Sequence, residues 1–321
     1  MPATPVPPRP DHQWRLTFLG TGPAWRTPEL GCPCQVCSTM RARGERRTRA
    51  ALWFDGPMQI LMDCGPDVAD QLEAAGVGRP EAILLSHEHG DHYLGLDDLE
   101  AFRRARPAGG FEPIPCYATA RAWEAVEVRF GYLLGKLLEK HTALPGLPLS
   151  GLGERMTITP FKTGHGPSAP GSVGYVLEGS VSGNRRKLVY TSDFKDLPEE
   201  PPQLNRPDVL VAQTHWFNEP EINRPSHMSL QRLLSYVARW QPTRAVCLVH
   251  ISDSDLCPGE PEGAYLKKSP PRNPLRDPKT GRPFPVPRCQ AEWQAAAESV
   301  FAAHGLDMPV IVPRDGQTIE I

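Results

Sequence analysis

The chain has 321 residues and 40% hydrophobic residues, enough to bury a large core. Its formal net charge of −2 gives no global pull toward nucleic acid or anionic lipid. No stretch approaches the roughly 20 apolar residues that span a bilayer, so a membrane partner is excluded and a cytoplasmic location is expected.

Residues 1–13 carry five prolines and no apolar core, and read as a short disordered tail rather than a secretory leader. One domain is expected over 14–321. A strand near 14–20 leads to Cys32-Pro33-Cys34-Gln35-Val36-Cys37. Three thiols this close cannot all pair with one another, and in a cytosolic chain disulfides are rare. The spacing suits thiolates converging on one structural zinc, which needs a fourth ligand from elsewhere. Arg41, Arg43, Arg46, Arg47 and Arg49 crowd the rest of this loop, which runs over 31–49. They read as a solvated helix face, with an anion-attracting rim as the functional alternative. Strands near 50–55 and 58–63 follow, the second ending at Asp63, and then a helix near 67–75.

The run Ala82-Ile83-Leu84-Leu85-Ser86 reads as a buried parallel strand near 81–86. It runs out into His87-Glu88-His89-Gly90-Asp91-His92, three imidazoles and a carboxylate with no packing reason to follow a strand. His87 and His89 share one side of the extended segment, and Asp91 and His92 follow where the chain turns. Such a donor set suits zinc, manganese or iron.

The pattern continues with a helix near 92–105, a strand near 114–118 and a helix near 120–139. Strands follow near 156–162, 173–178, 187–191, 208–212 and 244–249. His165 follows the first of these, Asp193 the third and His250 the last. His215 stands beside Trp216. His227 precedes an amphipathic helix near 228–239 with Leu230, Leu233, Leu234 and Val237 on one face; Ser226 or Ser229 can cap it. Residues 255–289 hold nine prolines and few apolar side chains. A loop this long without periodicity is usually functional or disordered. It reads as a cover over the histidine site or an arm toward a partner subunit. A helix near 290–303 and strands near 309–312 and 317–321 complete an α/β pattern of two packed mixed sheets with helices outside.

The His-x-His-x-Asp-His stretch, with His165, Asp193 and His250 in order behind it, resembles the metallo-β-lactamase superfamily. The resemblance covers nearly the whole chain and implies an αββα four-layer sandwich. It implies that His87, His89 and His165 hold one divalent metal, Asp91, His92 and His250 the other, and that Asp193 bridges them. Asp63 matches a family carboxylate read as orienting a ligand imidazole. Leu19-Gly20-Thr21-Gly22 and the cysteine loop are similar to the phosphoribosyl cyclic phosphate phosphodiesterases of the carbon–phosphorus lyase pathway. Their structural zinc takes a late His as fourth ligand. Here that position is Asp253, and Cys257 is the chemically softer rival.

By the same resemblance His227 is the proton donor to the leaving oxygen, His215 contacts phosphate or steadies the bridging carboxylate, and Asp91 counts among the catalytic residues. The expected activity is hydrolysis of a cyclic phosphate ester of a sugar or nucleotide. The expected cofactors are two active-site metals and one structural zinc. A small phosphorylated substrate is the expected partner; nucleic acid is disfavoured, and a homodimer is left open. Lactone or thioester hydrolysis is the alternative chemistry, and a carrier like the pyrroloquinoline quinone biosynthesis relative is the alternative without turnover.

Overall fold

The computed structural model describes residues 13–152, 156–222 and 226–321; residues 1–12 of the expected tail lie outside them. Six strands come first: β1 (Arg15–Gly20), β2 (Ala51–Asp55), β3 (Gln59–Met62), β4 (Ala82–Leu84), β5 (Ile114–Ala118) and β6 (Leu138–Thr142). Then come β7 (Met156–Lys162), β8 (Val173–Val181), β9 (Asn184–Tyr190), β10 (Val209–Gln213), β11 (Ala245–Val249), β12 (Val310–Ile311) and β13 (Gln317–Glu320). They form one sheet in the order β13-β1-β2-β3-β4-β5-β6 and a second in the order β12-β11-β10-β9-β8-β7. The helices are α1 (Gln35–Ala42), α2 (Val68–Ala75), α3 (Gly90–Tyr93), α4 (Glu100–Arg104), α5 (Ala120–Phe130), α6 (Leu230–Trp240) and α7 (Gln290–Ala303).

Side-chain alternation along the strands explains the layering. Val209 and Val211 face the inter-sheet core, where they meet Phe54, Ile60 and Met62 of the first sheet. Their neighbour Leu210 points the other way, into a core with Val237 and Trp240 of α6 and Trp293 and Val300 of α7. The outer face of the first sheet packs Leu61, Ile83 and Cys116 against Leu72 of α2 and Trp123 and Val126 of α5. Two sheets with helices on both outer faces make the αββα four-layer sandwich. Capping side chains start the helices cleanly. Ser229 Oγ accepts from Arg232 N at 3.0 Å to open α6, and Thr119 Oγ1 accepts from Ala122 N at 3.3 Å to open α5. No helix among the described residues is long and apolar enough to cross a membrane.

Three local expectations are corrected. The helix expected over 120–139 ends at Phe130, and β6 pairs parallel to β5 instead. Gly135 takes the left-handed backbone (φ 71°) that turns the chain into that strand. The helix expected over 92–105 is broken into α3, a 3₁₀ turn at Leu96–Leu99 and α4. The cysteine loop contains a helix, α1, whose Val36, Cys37 and Met40 are buried.

The topology gathers strand ends. β3, β4 and β5 run parallel to one another, as do β9, β10 and β11, so their carboxyl ends meet at one edge of the sandwich. Asp63, Ser192 and His250 leave those ends in the left-handed region, with φ of 63°, 50° and 58°. For a non-glycine residue this costs on the order of 1 kcal/mol, and such strain clusters at functional sites.

Candidate metal centre

Seven side chains foreseen as ligands converge at this edge. His87, His89 and His165 bring their ring nitrogens together as one group; Asp91, His92, Asp193 and His250 form a second, with donor atoms within 4.8 Å of one another in each. Asp193 Oδ2 lies between them, 3.6 Å from His165 Nε2, 3.7 Å from His92 Nε2 and 3.2 Å from His250 Nε2.

Hydrogen bonds behind the rings decide which nitrogen faces the centre. Asp63 Oδ2 takes the Nδ1–H of His92 at 2.9 Å. Ser86 Oγ donates to Asp63 at 3.0 Å, which leaves it to accept from His87 Nδ1 at 2.9 Å. The Ser226 carbonyl accepts from His165 Nδ1 at 2.9 Å. With Nδ1 protonated in each ring, the Nε2 lone pair is left for the centre. The Nε2 atoms of His87, His92 and His250 are buried and make no hydrogen bond. A buried polar atom without a partner is costly; here the His92 and His250 Nε2 atoms face Asp91 and Asp193, and His87 gathers with His89 and His165. His89 Nδ1 and His165 Nε2 face each other at 3.1 Å. This donor set fits a pair of divalent cations, with His and carboxylate ligands admitting zinc, manganese or iron.

The electrostatics are those of an anionic pocket: against its burial, Asp91, Asp63 and Asp193 hold the His92 imidazole well above its ordinary value, a positive charge that a bound cation would displace. Burial alone raises Asp193, but His250, His92 and His165 around it hold the carboxyl well below its ordinary value. Asp91 is likewise held low against its burial, chiefly by His92 and His250. Both carboxylates are therefore in their ligating form at neutral pH. Burial pushes His87 well down, so its ring is neutral too.

His215 and His227 flank the centre, their rings stacked with centroids 4.1 Å apart. Gln213, which no sequence pattern singled out, fixes the second ring. Its Oε1 accepts from Phe194 N at 2.8 Å and Met228 N at 3.3 Å. Its Nε2 therefore faces His227 Nδ1, at 2.6 Å, and donates to it. A neutral His227 then carries its one proton on Nε2. Burial keeps it neutral, holding its pKa well below the ordinary imidazole value. His215 Nδ1 lies 3.4 Å from His250 Nδ1, and His215 Nε2 lies 3.3 Å from Ser254 Oγ. His250 Nδ1 also lies 3.3 Å from Gln213 Nε2; for Nε2 to offer a lone pair, His250 would turn its Nδ1 proton to His215 and His215 Nε2 would donate to Ser254.

A second group forms at the cysteine loop. Cys32, Cys34, Cys37 and Asp253 bring their donor atoms within 4.8 Å of one another. Of the two rivals for the fourth position, Asp253 joins the thiols, with Cys37 Sγ donating to its Oδ2 at 2.7 Å. Cys257 is buried in the same apolar cluster without joining the group. Asp253 Oδ1 is buried and makes no hydrogen bond. Three sulfurs and one oxygen fit a closed tetrahedral zinc site. Lys267 pairs with Asp253 and, at 3.0 Å, with Glu29, tying the long 255–289 segment to this corner.

The arginines of the loop serve elsewhere. Arg41 donates to the carbonyls of Cys32 and Glu29 and so clamps the cysteine turn. Arg47 is buried rather than solvated, donating to Thr21 Oγ1 at 2.8 Å and the Pro313 carbonyl at 3.0 Å. Arg49 pairs with Asp67 at 3.1 Å. Arg43 and Arg46 border a separate cavity of about 530 Å³. The cavity that His215 and His227 border measures about 730 Å³, and its other walls come from residues 23–25, 29–33 and 264–267 with Trp216, Ser252 and Ser254.

Comparison with known proteins agrees with this fold. Residues 58–251 match the family described as the beta-lactamase superfamily domain. An octanoyltransferase from Porphyromonas gingivalis is 28% identical over 240 residues, which is 74% of this chain but 46% of that enzyme. The chain thus spans about half the length of that relative. A solved diphosphatase from the PhnP family superposes with a TM-score of 0.67 at 21% identity, covering 96% of this chain and 97% of that one. Zinc-bound PqqB from Methylobacterium extorquens superposes with a TM-score of 0.65 at 17% identity, covering 96% of this chain and 100% of that one. These two likenesses are of fold alone. The family match spans the strands that carry the gathered histidines and aspartates, and the chain belongs to the metallo-β-lactamase superfamily of metal-dependent hydrolases.

Proposed function

We propose that the protein is a dinuclear metal-dependent phosphodiesterase that opens a cyclic phosphate ester of a sugar or nucleotide. His87, His89 and His165 would hold one cation, Asp91, His92 and His250 the other, with Asp193 shared. Bound there, two divalent cations would lower the pKa of water and neutralise charge on the phosphoryl oxygens. Asp63, Ser86 and the Ser226 carbonyl keep the ligand rings turned inward, and His215 keeps His250 turned inward. Cys32, Cys34, Cys37 and Asp253 would hold a structural zinc.

The observation that carries this reading is the gathering of seven His and Asp donors beside a cavity that His227 borders. Gln213 Nε2 donates to His227 Nδ1 at 2.6 Å, so a neutral ring carries its proton on Nε2. An alkoxide leaving group needs a proton, whereas attack on phosphorus by hydroxide does not. His227 would deliver that proton to the departing oxygen as charge develops on it, the Gln213 N–H at Nδ1 steadying the imidazolate left behind until solvent returns the proton.

Leaving-group dependence tests this role. In metal-loaded protein, His227→Asn should lower kcat on a 2′,3′-cyclic nucleotide by roughly 10²–10⁴-fold. Bis(p-nitrophenyl) phosphate, whose leaving group needs no proton, should lose far less. Equal losses on both would remove His227 as the acid. No turnover of either by the metal-loaded wild type would remove the phosphodiesterase. The octanoyltransferase relative favours a second reading, hydrolysis of an acyl thioester, whose thiolate leaving group also needs no acid. Turnover of an octanoyl thioester with none of either phosphodiester would establish it.

A further inference from the structure

The cavity beside His227 has a mouth that a bare sugar phosphate does not require. Of the nine large apolar side chains exposed among the described residues, Trp25, Leu30 and Leu266 border this one opening, Trp25 at 72% exposure. Tyr265 joins them. They come from two distant stretches, the turn before the cysteine loop and the 255–289 segment. The thiol corner and the Lys267 pairs with Glu29 and Asp253 hold those stretches together. Large apolar side chains gathered at a cleft mark a binding surface.

We propose that this mouth selects, among the substrates of the phosphodiesterase reading on which this inference rests, those bearing a nucleobase, with the base lodged against Trp25 and Leu266 while its phosphate faces the metal centre. A cavity of about 730 Å³ suits a ligand larger than a sugar phosphate. The walls are mixed. Glu29 and Lys267, paired with each other, lie among the apolar groups, and an alkyl chain would strip water from that ion pair with nothing in return. A base offers a flat face for the indole and polar edges for those charges.

Binding tests it independently of turnover. Zinc-loaded protein is titrated calorimetrically with adenosine monophosphate and with ribose 5-phosphate. The wild type should bind the nucleotide about tenfold more tightly, the scale of one stacked base. Trp25→Ala combined with Leu266→Ala should abolish that advantage. Affinity for ribose 5-phosphate, which does not reach the mouth, should hold, and this also reports that the variant is folded. Trp25→Ala alone gives the same comparison if the double variant fails to fold. Equal affinities in the wild type, an advantage that survives the substitutions, or a mouth that binds octanoate and ignores adenine would each overturn the proposal. If the base preference is found but 2′,3′-cyclic AMP is not hydrolysed, only the phosphodiesterase reading falls.

Discussion

Asp63 is a buried carboxylate with both oxygens engaged. It accepts from Ser86 N and Tyr190 OH, both at 2.8 Å, from Ser86 Oγ at 3.0 Å and from His92 Nδ1 at 2.9 Å. Asp63→Asn keeps the volume but sets an amide N–H against donors, so His92 loses its fixed orientation. Metal affinity should fall about 10–100-fold, the usual loss for a group that orients a ligand. Competition against a zinc indicator measures it, with circular dichroism showing the fold retained; an affinity within twofold of wild type would remove the role. Asp63 was legible in the sequence because a carboxylate ending an apolar run is conspicuous, and the same holds for His87, Asp193 and His250. Gln213 was not: a glutamine at a strand end looks ordinary until its amide is seen clamped between two backbone N–H groups and two imidazoles. Chemistry alone also left Asp253 and Cys257 open. Sulfur is the softer ligand for zinc, but the path of the chain after β11 decides, and it brings the carboxylate to the thiols.

Among the elements, the turn after β3 packs closely against the start of α3. A Cβ on Gly65 would sit 2.1 Å from the Asp91 carbonyl oxygen, at the start of α3, which carries Asp91 and His92. That neighbour is backbone and cannot rotate away. Gly65→Ala should therefore cost roughly 1–3 kcal/mol, as overpacking does, and weaken metal binding at the same time. Thermal melts of the apo and loaded protein read both effects; an unchanged melting temperature in each would refute the contact. Element legibility followed apolar content. Strands such as β10 and β11, buried throughout, stood out as continuous apolar runs. β6 did not, because Leu138–Thr142 is an edge strand of mostly polar residues whose pairing with β5 comes from tertiary contact. α1 hid inside the cysteine motif, where ligand spacing drew the reading away from its buried Val36 and Met40.

At the scale of the molecule, the candidate ligands come from both sheets. His87, His89, Asp91 and His92 follow β4 of the seven-stranded sheet, and His165, Asp193 and His250 follow β7, β9 and β11 of the six-stranded one. A cation pair held there would cross-link the two halves of the sandwich. Metal present at a thousandfold excess over its Kd stabilises the fold by about 4 kcal/mol. Stripping it with a chelator should lower Tm by about 6 °C at this chain size. A Tm indifferent to chelation, in protein shown to have lost its metal, would contradict the bridge. The layers were legible from strands and helices in turn, but the sheet orders were not, because strand order is fixed by long-range pairing that no local pattern records.

The peptide from His250 to Asp255 joins these scales. It offers His250 to the dinuclear corner and Asp253 to the thiols. Ser252 Oγ donates to the His215 carbonyl at 2.6 Å. Asp255 accepts from Phe217 N at 2.7 Å and Asn218 N at 2.9 Å. Six consecutive residues thus serve as a common hinge-pin for both corners. Damage to the sulfurs, by oxidant or by a competing soft metal, should therefore be felt along that pin at the chemistry next door.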